Sequence, residues 1–310
     1  MIGRYKFSDY ITPCSPEEKP DWIDLSDPEE EELAEVSRLY NAPQWFLVDP
    51  LDPKERPRVD QDEAGLLVVV RLSAREILPD GPTFQTVPVG IIIFPGLVVT
   101  VCRKAGLVSG HLARLFHRKR HWSCVRLAFA LFHASGTGFI ENLEKMEDQA
   151  GEAEARLRRS PENEELLAIL NIEKSLIDIT IALKSNHELM GKFNRNDPFG
   201  LTLSKDERDI LDDAMTENQQ AVFMAEIFGQ ILASMSDAFG SIISNNLNKT
   251  MKFLAGVTIV LMLPTIIAGI YGMNVGLPFA EASGAFIGLS LLCLGLMLAV
   301  SVLFAKKKWF

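Results

Sequence analysis

The chain has 310 residues, 41 acidic and 31 basic, for a net charge of −10; 47% of it is hydrophobic and its mean hydropathy is +0.11. Nucleic acid as a partner is excluded, because that requires a basic footprint. So are a wholly soluble enzyme and a many-span carrier, because the charge is segregated: from Phe253 to Ala305 the sole charged residue is Glu281.

Cys14, Cys102, Cys124 and Cys293 form no CxxC pair and read as free thiols in a reducing compartment. The opening MIGRYKFSDY holds no apolar core, so no cleavable signal peptide is expected. Asp27-Pro28-Glu29-Glu30 reads as a helix start, with Asp27 as cap and acids facing the dipole. Strand-like runs follow at Trp45–Asp49, Gly65–Ser73, Val87–Phe94 and Leu97–Arg103, separated by Pro, Gly and Asp turns. These predict an α/β domain over residues 1–124. No strand signal survives beyond Ser123. Two long helices are expected at Val125–Arg159 and Glu162–Lys192, joined at Ser160-Pro161, within a long-helix region 125–203.

A third helix starts at Ser204, where Ser204 and Glu207 make a capping box. It meets no Pro or paired-Gly break before the membrane and is expected to run on through residue 272, roughly 100 Å at 1.5 Å per residue. Steps of four and three residues pick out Gln230, Ser234, Asp237, Ser241, Ser244, Asn248, Met251, Ala255, Thr258, Met262, Thr265 and Gly269. The opposite side carries Phe228, Leu232, Met235, Phe239, Ile242 and Ile243. A solvated helix face is usually rich in Lys and Glu. The cytoplasmic half of this stripe is small, polar and almost uncharged, which suits the inside of a water-filled bundle.

Phe253–Gly272 and Ser283–Ala305 are long enough, and apolar enough, to cross a bilayer as helices. Residues 273–282 form the short loop between them. Lys249 and Lys252 precede the first span, while Lys306, Lys307 and Lys308 follow the second. The positive-inside rule then places both termini in the cytoplasm and predicts a two-span protein of the plasma or inner membrane, with the lipid bilayer as a partner. Two spans cannot enclose a pathway, so several copies would have to surround one. The first span ends in Ala268-Gly269-Ile270-Tyr271-Gly272-Met273-Asn274. Gly272 and Asn274 suit a helix end that turns carbonyls and an amide toward an axis. Such a ring offers acceptors to the water shell of a hard cation, and Mg²⁺, which dehydrates reluctantly, matches it best.

Here the sequence resembles the CorA magnesium-channel family. The resemblance rests on Tyr271-Gly272-Met273-Asn274 as the Y-G-M-N signature, and on Ser244-Asn245, Asn248, Met251-Lys252 and Leu254 as the lead-in. Lys306-Lys307-Lys308-Trp309 matches the basic tail. In detail it covers residues 213–310; the N-terminal half agrees in architecture.

The resemblance implies a funnel-shaped homopentamer: an α+β cytoplasmic domain, long helices and a two-helix transmembrane hairpin. Its activity would be a Mg²⁺ channel driven by the electrochemical gradient, with no organic cofactor and no enzymatic reaction. Carried over by position, Gly272, Met273 and Asn274 form the selectivity ring. Asn248, Met251, Leu254, Thr258, Met262 and Thr265 line the pore, with Met251 and Leu254 as its apolar gate; the residue stripe itself selects Ala255 in place of Leu254. Lys306, Lys307 and Lys308 form a basic collar. Asp213 falls on the regulatory aspartate by which cytoplasmic Mg²⁺ closes such channels.

The loop Val275-Gly276-Leu277-Pro278-Phe279-Ala280-Glu281 departs from the family's M-P-E-L and leaves Glu281 as its acid. A zinc branch of the superfamily usually varies the methionine of G-M-N, so Met273 favours Mg²⁺ over a Zn²⁺, Co²⁺ or Ni²⁺ transporter. A membrane-anchored sensor or scaffold that conducts nothing is the rival from another class. The pair His117 and His121 sits in HRKRH and reads as a basic face, and the acids from Glu141 to Glu154 read as a wet helix side. No phosphate-binding loop or nucleophile motif supports ATP-driven pumping or hydrolysis.

Overall fold

The computed structural model describes residues 2–15, 17–78, 81–116, 121–159, 163–195, 198–278, 284–307 and 309. It divides into two compact units, Met1–Ala233 and Ser234–Phe310.

The first unit is built on a seven-stranded sheet of β1 (Ile2–Phe7), β2 (Ile11–Pro13), β3 (Trp22–Ser26), β4 (Arg58–Gln61), β5 (Leu66–Leu78), β6 (Gly81–Phe94) and β7 (Leu97–Cys102). Its spatial order is β2-β1-β3-β7-β6-β5-β4. All neighbours are antiparallel except β3 and β7, which run parallel with Trp22 opposite Val98 and Asp24 opposite Thr100. The β-branched runs LLVVV and VGIIIF make β5 and β6 the long central hairpin, in register from Leu66↔Ile93 to Leu78↔Gly81. Those two runs, unlike the rest of each strand, are apolar throughout because both faces are covered there. Leu66, Val68, Val70 and Leu72 face one core, shared with α3 (Leu107–Phe116), α4 (Cys124–Arg159), α5 (Asn163–Phe193) and the start of α6 (Lys205–Tyr271). Leu67 and Val69 face the other, under α1 (Glu30–Tyr40) and α2 (Gln44–Val48).

Two expectations are corrected here. Trp45–Asp49 is not a strand: Pro43 leads into α2, which buries the adjacent Phe46 and Leu47 completely. Helix α1 is capped not by Asp27 but at Glu29, whose N–H donates to Glu32 Oε2 at 3.0 Å. Asp27 stands in the left-handed region at φ 48 and its N–H goes to the Cys102 carbonyl at 2.7 Å. The strands β1, β2, β3 and β4 were not picked out by pattern, because each is short and mixes polar with apolar residues.

Buried polar groups lock the layers together. Trp22 Nε1 donates to Thr100 Oγ1 at 2.9 Å, and Thr100 donates on to Asp24 Oδ1 at 2.7 Å. Burial raises the Asp24 carboxyl above its ordinary range, although the hydroxyls of Thr100 and Ser26 pull it down. Beyond the last β4–β5 pair, Arg58↔Val69, the buried Asn186 of α5 takes the place of a neighbouring strand. Its Oδ1 accepts from Arg71 N at 3.0 Å and its Nδ2 donates to Arg71 O at 2.8 Å. Nδ2 also reaches Ser135 Oγ of α4 at 3.1 Å, so one amide joins sheet and both helices. Phe193 closes the end of the helix pair, 5.7 Å from Phe129 and 5.8 Å from Phe132.

All four cysteines are free. Burial pushes the Cys102 and Cys124 thiols up to about 11, so both stay protonated at neutral pH.

The long helices fall where periodicity placed them, at Cys124–Arg159 and Asn163–Phe193; their expected joint, Ser160-Pro161, lies outside the described residues. Helix α6 is a single element of 67 residues. Its capping box is present: Ser204 N donates to Glu207 Oε2 at 2.9 Å, and Glu207 N donates back to Ser204 Oγ at 3.3 Å. The second unit holds the rest of α6, a short connection, and α7 (Ala285–Lys306).

Candidate functional site

In the second unit the apolar side chains face outward. Leu254, Leu261, Met262 and Ile266 on α6 are more than half exposed, as are Ile287, Leu291, Leu294 and Leu298 on α7. A soluble hairpin would bury these. Two exposed helices of this length and hydropathy are instead suited to lipid.

The half-buried positions show how each helix is oriented within the unit. On α6 they are Val257, Val260, Leu263, Pro264 and Ile267, with Gly256 buried beside them; on α7 they are Ala285, Leu289, Cys293, Met297, Val300, Ser301 and Phe304. Both sets recur at helical spacing, the pattern of a hairpin whose helices cover one another along one stripe. At 100° per residue, Asn248, Met251, Leu254, Thr258, Met262 and Thr265 lie roughly opposite the α6 stripe. All six are exposed. Ala255 is exposed as well, next to Leu254 on the same side.

The polar stripe continues upstream on that face. Ser236, Asp237, Gly240, Ser241, Ser244, Asn245 and Asn248 line one shallow groove. The hydroxyls are tied to their own helix: Ser241 donates to Asp237 O at 3.1 Å, Thr258 to Leu254 O at 2.8 Å and Thr265 to Leu261 O at 3.3 Å. Each donor is therefore used, and each oxygen keeps lone pairs turned outward as acceptors. Pro264 has no N–H to give the Val260 carbonyl, yet α6 runs through it unbroken.

Helix α6 ends at Tyr271. Gly272 N donates to Ala268 O at 2.9 Å and Met273 N to Ile270 O at 3.3 Å, so the chain tightens by one last turn. Gly272 ends the helix without entering the left-handed region, since it is not among the residues with positive φ. A Cβ there would stand 3.2 Å from the Ala268 carbonyl, a tight contact that the glycine avoids. Asn274 follows, exposed, with Tyr271 Oη donating to Pro278 O at 3.4 Å across the turn. Gly272, Met273 and Asn274 thus sit together at one end of the exposed α6 face. Glu281 lies outside the described residues.

At the other end of α7, Lys306 and Lys307 are exposed. Trp309 N donates to Phe304 O at 3.0 Å and its ring stacks on Phe304 at 5.0 Å, folding the tail back on its helix. Lys308 lies outside the described residues.

Asp213 is in the first unit. It is exposed on α6 between the buried Leu211 and Ala214. Among the described residues of this chain, no group of three or more His, Cys, Asp or Glu gathers as a metal site. His121 is exposed, and its partner His117 lies outside the described residues.

One feature escaped sequence reasoning. Ser73, Arg75, Lys104, His111, His133 and Asn142 line a half-open cavity of about 360 Å³ between sheet and helices. The sequence separates them by up to 69 positions, and no spacing rule links them.

Fold and exposed hairpin define a two-span membrane protein with a water-facing α/β domain. Residues 17–307 match the family model of the CorA-like Mg²⁺ transporter protein, and the chain belongs to that family. It is 27% identical over 295 residues to the cobalt/magnesium transport protein CorA of Methanocaldococcus jannaschii, covering 93% of this chain and 90% of that protein. It is 22% identical over 308 residues to the Thermotoga maritima protein of the same name, covering 96% and 86%. The complete structure of the M. jannaschii CorA magnesium transporter superposes with a TM-score of 0.83 at 24% identity, over 100% of this chain and 99% of that one.

Proposed function

We propose that the chain is the subunit of a homopentameric channel that moves hydrated Mg²⁺ into the cytoplasm, driven by the membrane potential. The observation that carries this reading is the exposed α6 face, polar upstream of Asn248 and ending on Gly272, Met273 and Asn274. Five copies turning that face to a common axis would line a path that no single hairpin can enclose.

Asn274 amides and nearby carbonyls would hold the cation through its water shell, since neutral acceptors do not repay full dehydration of Mg²⁺. Met251 and Leu254 would close the path by excluding water. The hydroxyls of Thr258 and Thr265 would offer oxygen lone pairs farther along. Both termini would lie in the cytoplasm, with Lys306 and Lys307 around the inner mouth. Glu281 would draw cations to the outer one. Asp213 would take part in a regulatory Mg²⁺ site completed by a neighbouring subunit. Co²⁺ is a second candidate cargo, because both curated relatives are named cobalt/magnesium transport proteins.

Flux into proteoliposomes under an inside-negative potential tests the ring. Asn274→Ala should cut Mg²⁺ entry by at least roughly tenfold, as loss of an aligned amide at a charged ligand implies, while the oligomer survives detergent sizing. Full flux through an intact Asn274→Ala assembly would remove the selectivity ring from the account.

A further inference from the structure

The cavity between the end of β5, α3 and α4 is a built polar site that ion conduction does not use. Two of its polar lining groups are well buried. Ser73 is 4% exposed and Asn142 is 6% exposed, and both border the cavity. Their hydroxyl and amide groups are thus among the polar groups that border the cavity.

The backbone is shaped around these groups. A Cβ on Gly138 would stand 2.5 Å from His111 Cε1 and 2.7 Å from Ser73 Oγ, so the glycine lets α4 close on both. His111 Nε2 lies 2.9 Å from the Ser73 carbonyl. That oxygen only accepts, so Nε2 carries the proton. Lys104 Nζ donates to the Arg75 carbonyl at 3.4 Å and leaves further protons toward the cavity.

The charge of the lining decides what it would hold. Arg75 and Lys104 are cations, His111 and His133 are imidazoles, and Glu141 is the single carboxylate. A positive lining in a chain of net charge −10 does not suit a divalent metal; it suits an anion. Guanidinium, ammonium, hydroxyl and amide N–H groups together supply the donors that phosphate oxygens take up. The volume matches a small molecule.

We propose that this cavity binds a small phosphate-bearing anion. The phosphate could come free or on a nucleotide, and the test separates the two. Calorimetry on the full-length protein in detergent, in Mg²⁺-free buffer at fixed ionic strength, would titrate orthophosphate, pyrophosphate and AMP against sulfate.

Saturable binding of one anion per subunit is expected, with sulfate clearly weaker. Lys104→Gln and Asn142→Ala should each weaken it about tenfold, whereas Lys54→Gln, outside the cavity, should not. Lys104 is partly solvent-exposed, so its variant keeps the test valid even if Asn142→Ala folds poorly. AMP binding tighter than orthophosphate would identify a nucleotide, and equal affinity would identify the phosphate group alone. No saturable binding of any phosphate, sulfate binding as tightly, or unchanged affinity in Lys104→Gln would overturn the proposal.

Discussion

Glu207 shows how much one side chain can do at the head of α6. Its carboxylate accepts from Ser204 N and Ser204 Oγ, at 2.9 and 2.7 Å, and from Ser123 Oγ, just ahead of α4, at 2.6 Å. Burial works against the charge, but these hydrogen bonds win and hold the carboxyl below the usual range. A folded-state value below the unfolded one contributes stability above the unfolded pKa, which is lost as pH falls through the folded value. Glu207→Gln should therefore lower stability by about 1 kcal/mol near neutral pH, and the gap from wild type should close in acid. Thermal melts at pH 7 and below pH 4 check this; a gap independent of pH would contradict the charge-based explanation. The capping box was legible because it is local, four consecutive residues and a known hydrogen-bond pattern. Asp27 misled for the complementary reason: its backbone is claimed by Cys102, 75 positions away, and no local rule can see that.

Among the elements, the legible ones were those with long periods. Thirty-residue amphipathic patterns placed α4 and α5, and the run of β-branched residues placed β5, β6 and β7. The four apolar and aromatic residues of α2, Trp45 to Val48, fit strand or helix equally well, and packing of Phe46 and Leu47 into the second core decided the matter. Non-local hydrogen bonding is the other part sequence hides. Asn186 pairs with Arg71 across 115 positions, and nothing in its neighbourhood marks it. Asn186→Leu should leave the Arg71 N–H and C=O without those partners and cost about 2–4 kcal/mol, seen as a fall in Tm of several degrees. An unchanged Tm would mean that the clamp is replaceable by solvent. The membrane hairpin was legible in full because lipid imposes length and apolarity directly on sequence. The threonines were ambiguous on sequence alone, and their bonds to Leu254 and Leu261 leave them as acceptors only.

For the molecule as a whole, function rests on a proposed assembly of copies. The chain carries signs that it is incomplete alone. Phe223, Ile227 and Ile231 recur every four residues on α6 and are 57%, 57% and 46% exposed, in the water-facing unit where apolar stripes mark interfaces. Phe223→Glu should shift the purified protein toward smaller species on sizing with light scattering; an unchanged mass would put the interface elsewhere. The regulatory proposal belongs to this scale too, because Asp213 is proposed to share its site with a neighbouring subunit, and no cluster of three or more candidate ligands gathers among the described residues of one chain. Asp213→Lys should make inhibition by internal Mg²⁺ weaker by about tenfold or more, since reversing a charge turns attraction for the ion into repulsion. Identical inhibition curves would locate the sensor at other residues.

The most direct test of the channel reading is Mg²⁺ entry into proteoliposomes loaded with a Mg²⁺-sensitive dye, with and without an inside-negative potential. The account predicts entry that rises with the potential and is absent from protein-free vesicles. No Mg²⁺ entry from protein shown to be folded and oligomeric, or flux of Zn²⁺ without Mg²⁺, would contradict it.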